Sequence, residues 1–229
     1  MIEDIVNFFD GLIRKTRTKD FEQLAKEEHF EFFEDQAFSD LPIAMRDFYI
    51  FKKKKGTIKR VLVKTDLDIP ETQLRIYDFV NYKDEIETTT IIEFENPTFK
   101  FSPFFIYPRS VFTKMKHLFV SEEMVFKDLA DFNSNYKIEA SNPSISYQQL
   151  KRSALALTNS KKKIYIEADD RYLIFYYKNK PLEIPDVRKD YLFALEFLDR
   201  MLYDQTNDFV WIRNGKLEVL NAVSTGTLR

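Results

Sequence analysis

The chain has 229 residues with 35 basic and 37 acidic side chains, a net charge of −2, and 44% apolar residues. That is long and apolar enough to bury about 70% of its unfolded surface, and it excludes a disordered tail or a nucleic-acid polycation. Cysteine is absent, which removes disulfides, thiol nucleophiles, iron–sulfur clusters and cysteine-ligated zinc. The four glycines, Gly11, Gly56, Gly215 and Gly226, are too scattered for a dinucleotide turn or a phosphate-cradling loop.

In chain order, Ile2, Ile5, Val6, Phe8, Phe9, Leu12 and Ile13 recur at helical spacing, and Arg14 and Lys15 place positive charge where a helix C-terminus favours it. The pattern predicts a short amphipathic helix over residues 2–14. A second helix is predicted over residues 20–28, with Phe21, Leu24 and Ala25 inward, followed by a strand-like run at 29–33. After a polar stretch broken by Pro42, residues 47–51 and 58–64 read as two strands around the turn 52–56. The strongest strand signal begins at Gln73, where Leu74, Ile76, Asp78 and Val80 alternate with Arg75, Tyr77 and Phe79. Bulky residues on both faces predict an interior strand. Residues 88–95, rich in threonine and isoleucine, complete a hairpin with it, and Asn96-Pro97 ends that hairpin. Residues 104–107, between Pro103 and Pro108, read as an edge or short strand.

Beyond that point strands alternate with helices. Residues 136–140 read as extended, 146–157 as helical, and 163–168 with 172–178 as a hairpin about Asp169-Asp170. A long helix is predicted over 186–203, with Pro185 near its first turn, then a hairpin of 209–212 and 216–220 through Asn214-Gly215. The β-α-β-β-α-β order over 136–212 matches a split βαβ arrangement.

Polar residues yield no catalytic motif. His29 and His117 belong to no H-E-x-x-H pair, and each reads as structural. Ser110, Ser121 and Ser141 lie outside any nucleophile elbow. The carboxylate pairs Asp66 with Asp68, Glu93 with Glu95, and Asp169 with Asp170 have chemistry suited to a hard cation or to acid and base roles. Residues two apart on a strand share a face, so Glu93 and Glu95 are expected on a solvated side, and Asp169-Asp170 in a turn. The basic run Lys52, Lys53, Lys54 and Lys55, extended by Lys59 and Arg60, reads as a charged turn that keeps edge strands soluble rather than a nucleic-acid site. Trp211 reads as filling a core edge. The apolar stripe Ile5, Phe8, Phe9 and Leu12, trailed by Arg17 and Lys19, has a competing functional reading as a docking face for a partner, a second subunit or an anionic membrane. Folding back onto its own domain is the first expectation.

Residues 74–82, the threonine-rich strand 88–94, and the segment 99–108 with its Pro-Phe-Phe-Ile-Tyr-Pro run resemble a pattern shared by a group of uncharacterised bacterial α+β proteins. The stretches 132–140 and 172–176 are similar to that group as well, so the resemblance covers residues 20–203 in pieces. The group has no assigned activity, and the resemblance therefore implies no site residue. Some members carry hydrophobic membrane segments before this region. Here residues 2–14 occupy that place and are too short to span.

The expected architecture is α+β, with a mainly antiparallel sheet region followed by a mixed helix and strand region. Residues 1–18 form an N-terminal helix, 19–110 the β-rich region and 111–229 the mixed region, the last two packed as one unit. The expected role is non-catalytic binding or assembly, without cofactor, metal or catalytic residues, and with a second copy or another protein as partner. The alternatives are an enzyme whose carboxylates and tyrosines come from distant segments, and a peripheral membrane protein docking through its first helix. The acidic N-terminal residues Glu3, Asp4 and Asp10 are the reverse of a secretory signal, so the expected location is the cytoplasm.

Overall fold

The first helix, α1, runs without interruption from Ile2 to Glu28. The two helices expected at 2–14 and 20–28 are therefore one, because the intervening Lys15-Thr16-Arg17-Thr18-Lys19 contains neither glycine nor proline to break it. It stops at His29, whose φ of 58° is left-handed. The next amide, of Phe30, donates back to the Ala25 carbonyl at 2.9 Å, a six-to-one closure, and the Phe30 ring joins Ala25 in the core. His29 is thus the stop of a helix. The structure, a computed structural model, describes residues 2–52, 55–82, 86–110, 124–203, 208–213 and 216–221, with 2–14, 208–213 and 216–221 given as backbone.

Eight strands follow: β1 (Glu31–Gln36), β2 (Gly56–Lys64), β3 (Gln73–Asn81), β4 (Glu87–Glu95), β5 (Phe101–Pro108), β6 (Tyr136–Ala140), β7 (Tyr165–Asp170) and β8 (Tyr172–Tyr176). They form one sheet in the order β1-β2-β3-β4-β8-β7-β5-β6, and every neighbouring pair is antiparallel. The fold is α+β, as the sequence pattern indicates. The predicted β3–β4 hairpin is present in full register from Gln73 opposite Glu95 to Asn81 opposite Glu87. β5 departs from expectation, because it is interior, paired with β6 on one side and β7 on the other. Its prolines are tolerated because the β5–β7 register shifts between Phe101 and Phe104, around Pro103, and Pro108 is the last residue of the strand.

Helices α2 (Ala130–Asn135), α3 (Pro143–Gln149), α4 (Arg152–Thr158) and α5 (Ile184–Tyr203) pack with the second half of α1 on one face. The single helix expected at 146–157 is two, broken where Lys151 takes an extended conformation. α3 begins at Asn142, whose side chain accepts from the Ile145 amide at 3.2 Å. β6 and β7 flank β5, each antiparallel to it, so they run parallel to one another across α3 and α4. That is a split crossover. The second one, through α5, leads instead to a separate hairpin of β9 (Asp208–Arg213) and β10 (Lys216–Asn221). The turn Asn214-Gly215 lies outside the described residues. No helix among the described residues is long and apolar enough to cross a membrane.

The opposite face of the sheet is covered by residues 37–52, which form two 3-10 turns at Phe38–Asp40 and Ile43–Asp47. The strand expected at 47–51 is absent. Phe48, Ile50 and Phe51 instead bury against Ile58, Tyr77, Phe79 and Phe105 as a plug. Aromatic residues suit a strand and a plug equally, and the pairing position beside β2 is already taken by β1 and β3.

Candidate functional site

Ionisable groups far apart in sequence meet at two places, and a third candidate is an apolar cleft. On the helical face, Asp78 of β3 is fully buried. It accepts from Arg17 Nε at 2.6 Å and Nη2 at 2.9 Å, from Arg60 Nε at 3.0 Å, and from the Thr90 hydroxyl at 2.6 Å. Arg17 Nη1 also donates to the Leu182 carbonyl at 2.9 Å, and the Leu182 amide donates to Thr90 Oγ1 at 2.8 Å. One carboxylate thereby joins α1, three strands and the loop before α5. Arg60 reaches it because β2 bulges between Lys59 and Leu62, where Arg60 has a φ of 54°. Burial opposes ionisation of Asp78, yet the hydrogen bond and charge of Arg17 and the charge of Arg60 outweigh it and hold the carboxyl below its ordinary range. Arg60 is therefore not part of a surface basic cluster, and Lys53 and Lys54 lie outside the described residues.

On the plug face, tyrosines donate to glutamates in a repeated geometry. The Tyr77 hydroxyl donates to Glu93 at 2.7 Å, that of Tyr176 to Glu167 at 2.6 Å, and that of Tyr107 to Glu139 at 2.7 Å. In each case the register places the pair diagonally across adjacent antiparallel strands, since Tyr77 faces Ile91, Tyr176 faces Tyr165 and Tyr107 faces Lys137. The expectation that Glu93 is solvated is overturned. It is fully buried and also accepts from Arg75 Nη1 at 3.1 Å, because β4 is an interior strand with both faces covered. Burial raises its carboxyl, while Arg75 and Tyr77 pull the other way. Burial also raises Tyr77 and Tyr176 well above the usual phenol range. Glu167 in addition accepts from the amides of Tyr49 at 2.6 Å and Ile50 at 3.3 Å, so it fastens the plug to the sheet. A small pocket of about 160 Å³ beside it brings Asp47 and Asp169 close. Burial, then the charges of Asp170 and Asp47, raise Asp169.

The third place is the end of the sheet beneath α5. A cleft of about 560 Å³ is lined by Ile69, Pro70, Phe99, Phe101, Met201 and Leu202, with Tyr203, Lys100 and Lys151 at its margin. The Phe99 and Phe101 rings lie 5.0 Å apart at 53°. Its two amide side chains hold its walls, and Glu71 joins the charged residues that line it. Gln149 accepts from the Ser102 amide at 2.8 Å and donates to the Lys100 carbonyl at 2.6 Å. Asn96 donates to the Pro70 carbonyl and to Thr72 Oγ1, both at 2.8 Å, and accepts from the Thr98 amide at 2.7 Å. Ile69 separates this cleft from a groove of about 460 Å³ on its other side, between the β2–β3 loop and α5.

The side chains of Ile5, Phe8, Phe9 and Leu12 lie outside the described residues, as do His117 and Ser121 and the side chain of Trp211. Asp66 and Asp68 are exposed on the β2–β3 loop and line the groove. Among the described residues no group of three or more His, Asp or Glu side chains is placed to hold a metal ion. The cleft and the Asp78 and Glu167 clusters were missed by sequence reasoning, because each needs partners far off in the chain: Arg17 is 61 residues from Asp78, and Tyr49 is 118 from Glu167. The one local signal was the recurrence of tyrosine with glutamate on successive strands.

No protein-family model matches the chain, and no curated protein matches it. Among solved structures it is similar to the crystal structure of the mycobacterial trehalose monomycolate transport factor A, TtfA, at 10% identity. The TM-score is 0.54, over 81% of this chain and 94% of that one. At that identity the likeness is one of fold.

Proposed function

We propose that this chain is a non-catalytic binding protein of the bacterial cytoplasm that holds an apolar or amphipathic ligand in the cleft beneath α5. The observation that carries this reading is the cleft itself: an apolar floor of Ile69, Phe99, Phe101 and Met201, with a volume of about 560 Å³, inside the range of roughly 300–1,000 Å³ typical of small-molecule sites. Its amide groups are engaged in holding the walls, so the apolar floor supplies burial while Glu71, Lys100 and Lys151 leave charge at the margin for a polar end of the ligand. The carboxylates that an enzyme would draw on, Asp78, Glu93 and Glu167, already accept hydrogen bonds inside the fold. The fold likeness to a protein named as a transport factor supports binding over catalysis. Kinship with the uncharacterised bacterial group is part of the same proposal.

The test is titration with a dansylated undecanoic acid, read by its blue-shifted emission. Saturable binding with one site is expected. Leu202→Arg, which places a charge in the half-buried cleft wall, is expected to weaken that binding at least tenfold while circular dichroism and melting temperature stay put. Absence of binding, or binding that Leu202→Arg leaves unchanged, refutes the assignment.

A further inference from the structure

The groove on the far side of Ile69 differs in kind from the cleft. Its floor is apolar, formed by Leu67, Leu74 and Leu195, and Leu192 stands at its lip with 53% of its surface exposed. One wall is α5 from Tyr191 to Asp199, a length of about 12 Å at 1.5 Å per residue, or two helical turns. The rim carries four carboxylates, Asp66 and Asp68 from the β2–β3 loop and Glu196 and Asp199 from α5.

Those charges are largely uncompensated. Among the described residues Asp66, Asp68 and Asp199 have no hydrogen-bond or ion-pair partner, and Glu196 is paired only with Arg200 one turn along its own helix. The one cation lining the groove, Lys64, turns its ammonium to the Glu28 carbonyl at 2.8 Å and the face of Phe30 at 5.4 Å. On a chain with a net charge of only −2, four carboxylates around one apolar trough are a marked local excess.

We infer that this groove docks a basic, apolar-faced helical segment of a partner protein. Its apolar floor takes the leucine-like stripe of an amphipathic helix, and the carboxylates on both walls meet lysines or arginines on either side of that stripe. Charge argues against the start of a second copy's first helix as the occupant. The amphipathic run at the start of this chain carries Glu3, Asp4 and Asp10 and no cation before Arg14, so its apolar face would bring like charge to the rim. An anionic amphiphile of the kind proposed for the cleft is disfavoured here for the same reason. This inference does not rest on the cleft and fails or stands separately from it.

The test uses the full chain and a labelled, amidated helical peptide with leucines on one stripe and lysines elsewhere, read by fluorescence anisotropy, against its counterpart with glutamates in place of lysines. The lysine peptide is expected to bind one-to-one with an affinity that falls as salt rises, and the glutamate peptide not to bind. Asp66→Asn, Asp68→Asn and Asp199→Asn combined, and separately Leu192→Ser, are each expected to weaken binding at least about tenfold. These side chains are exposed and the three carboxylates unpartnered, so the fold tolerates the changes. Glu34→Gln with Asp131→Asn, both exposed and outside the groove lining, is expected to leave binding unchanged. Undetectable binding, equal binding by the triple variant, or an equal loss from the outlying pair overturns the inference. A concentration-dependent dimer in sedimentation that Leu192→Ser abolishes also overturns it, by giving the groove to a second copy.

Discussion

Replacing Asp78 by Asn isolates the ion cluster that ties α1 to the sheet. The side chain is fully buried between Arg17 and Arg60, whose own side chains are 15% and 7% exposed, so neither guanidinium can return to water without moving α1 or the β2 bulge. Removing one partner of a buried pair leaves uncompensated charge and costs about 3–5 kcal/mol. At about 2–4 °C per kcal/mol for a chain of this size, the melting temperature drops by about 6–20 °C. The pH dependence has a definite sign. Asp78 is held below its ordinary range in the folded chain, so its contribution is fully present above the unfolded value of about 3.9 and is lost as pH falls from there through the folded value. Urea unfolding at neutral pH and again in acid reads both effects. The gap between wild type and Asp78→Asn is expected to be full at pH 7 and to narrow below about pH 4. A loss under about 1 kcal/mol at neutral pH, or a gap independent of pH, refutes the reasoning.

Glu93→Gln is expected to behave oppositely. Burial raises this carboxyl, so its favourable contribution exists below the unfolded value and fades as pH rises through the folded one; at pH 7 the variant should lose under about 1.5 kcal/mol by urea unfolding, less than Asp78→Asn. Glu167→Ala removes the acceptor for the Tyr49 and Ile50 amides, and amide exchange at those two positions should accelerate at least tenfold, about 1.4 kcal/mol, while exchange in β3 changes far less. Gly56→Ala sets a methyl 2.3 Å from the Val80 carbonyl and 2.7 Å from the Phe79 ring. Because the first of those atoms is backbone, calorimetry should show a loss of about 1–3 kcal/mol.

What was legible in the sequence follows from the range of the forces involved. The β3–β4 hairpin could be read because period-two alternation and β-branched residues act locally, and α5 because its apolar stripe spans about four turns. The solvated reading of Glu93 failed because it assumed a sheet with one wet face. Covering that face depends on the plug at 37–52, and a sequence rich in Phe and Tyr does not announce whether its rings pair in a ladder or cap one. The prolines of β5 likewise argued for an edge, and only the irregular register with β7 reconciles them with an interior place. The Asp78 cluster had no local trace, since Arg17, Arg60, Thr90 and Leu182 converge through sheet order rather than spacing.

We propose that buried carboxylates and tyrosines hold this fold together while the apolar hollow beneath α5 binds the ligand. Methyl-resolved NMR of the protein titrated with the undecanoic-acid probe tests it most directly. Resonances of Ile69, Met201 and Leu202 are expected to shift in step with occupancy, with Ile50, Ile91 and Ile174 of the plug face unmoved. Shifts centred on Ile50 and Ile174, beside Glu167 and Tyr176, with silence at Met201, would contradict the account and place the working site among the carboxylates instead.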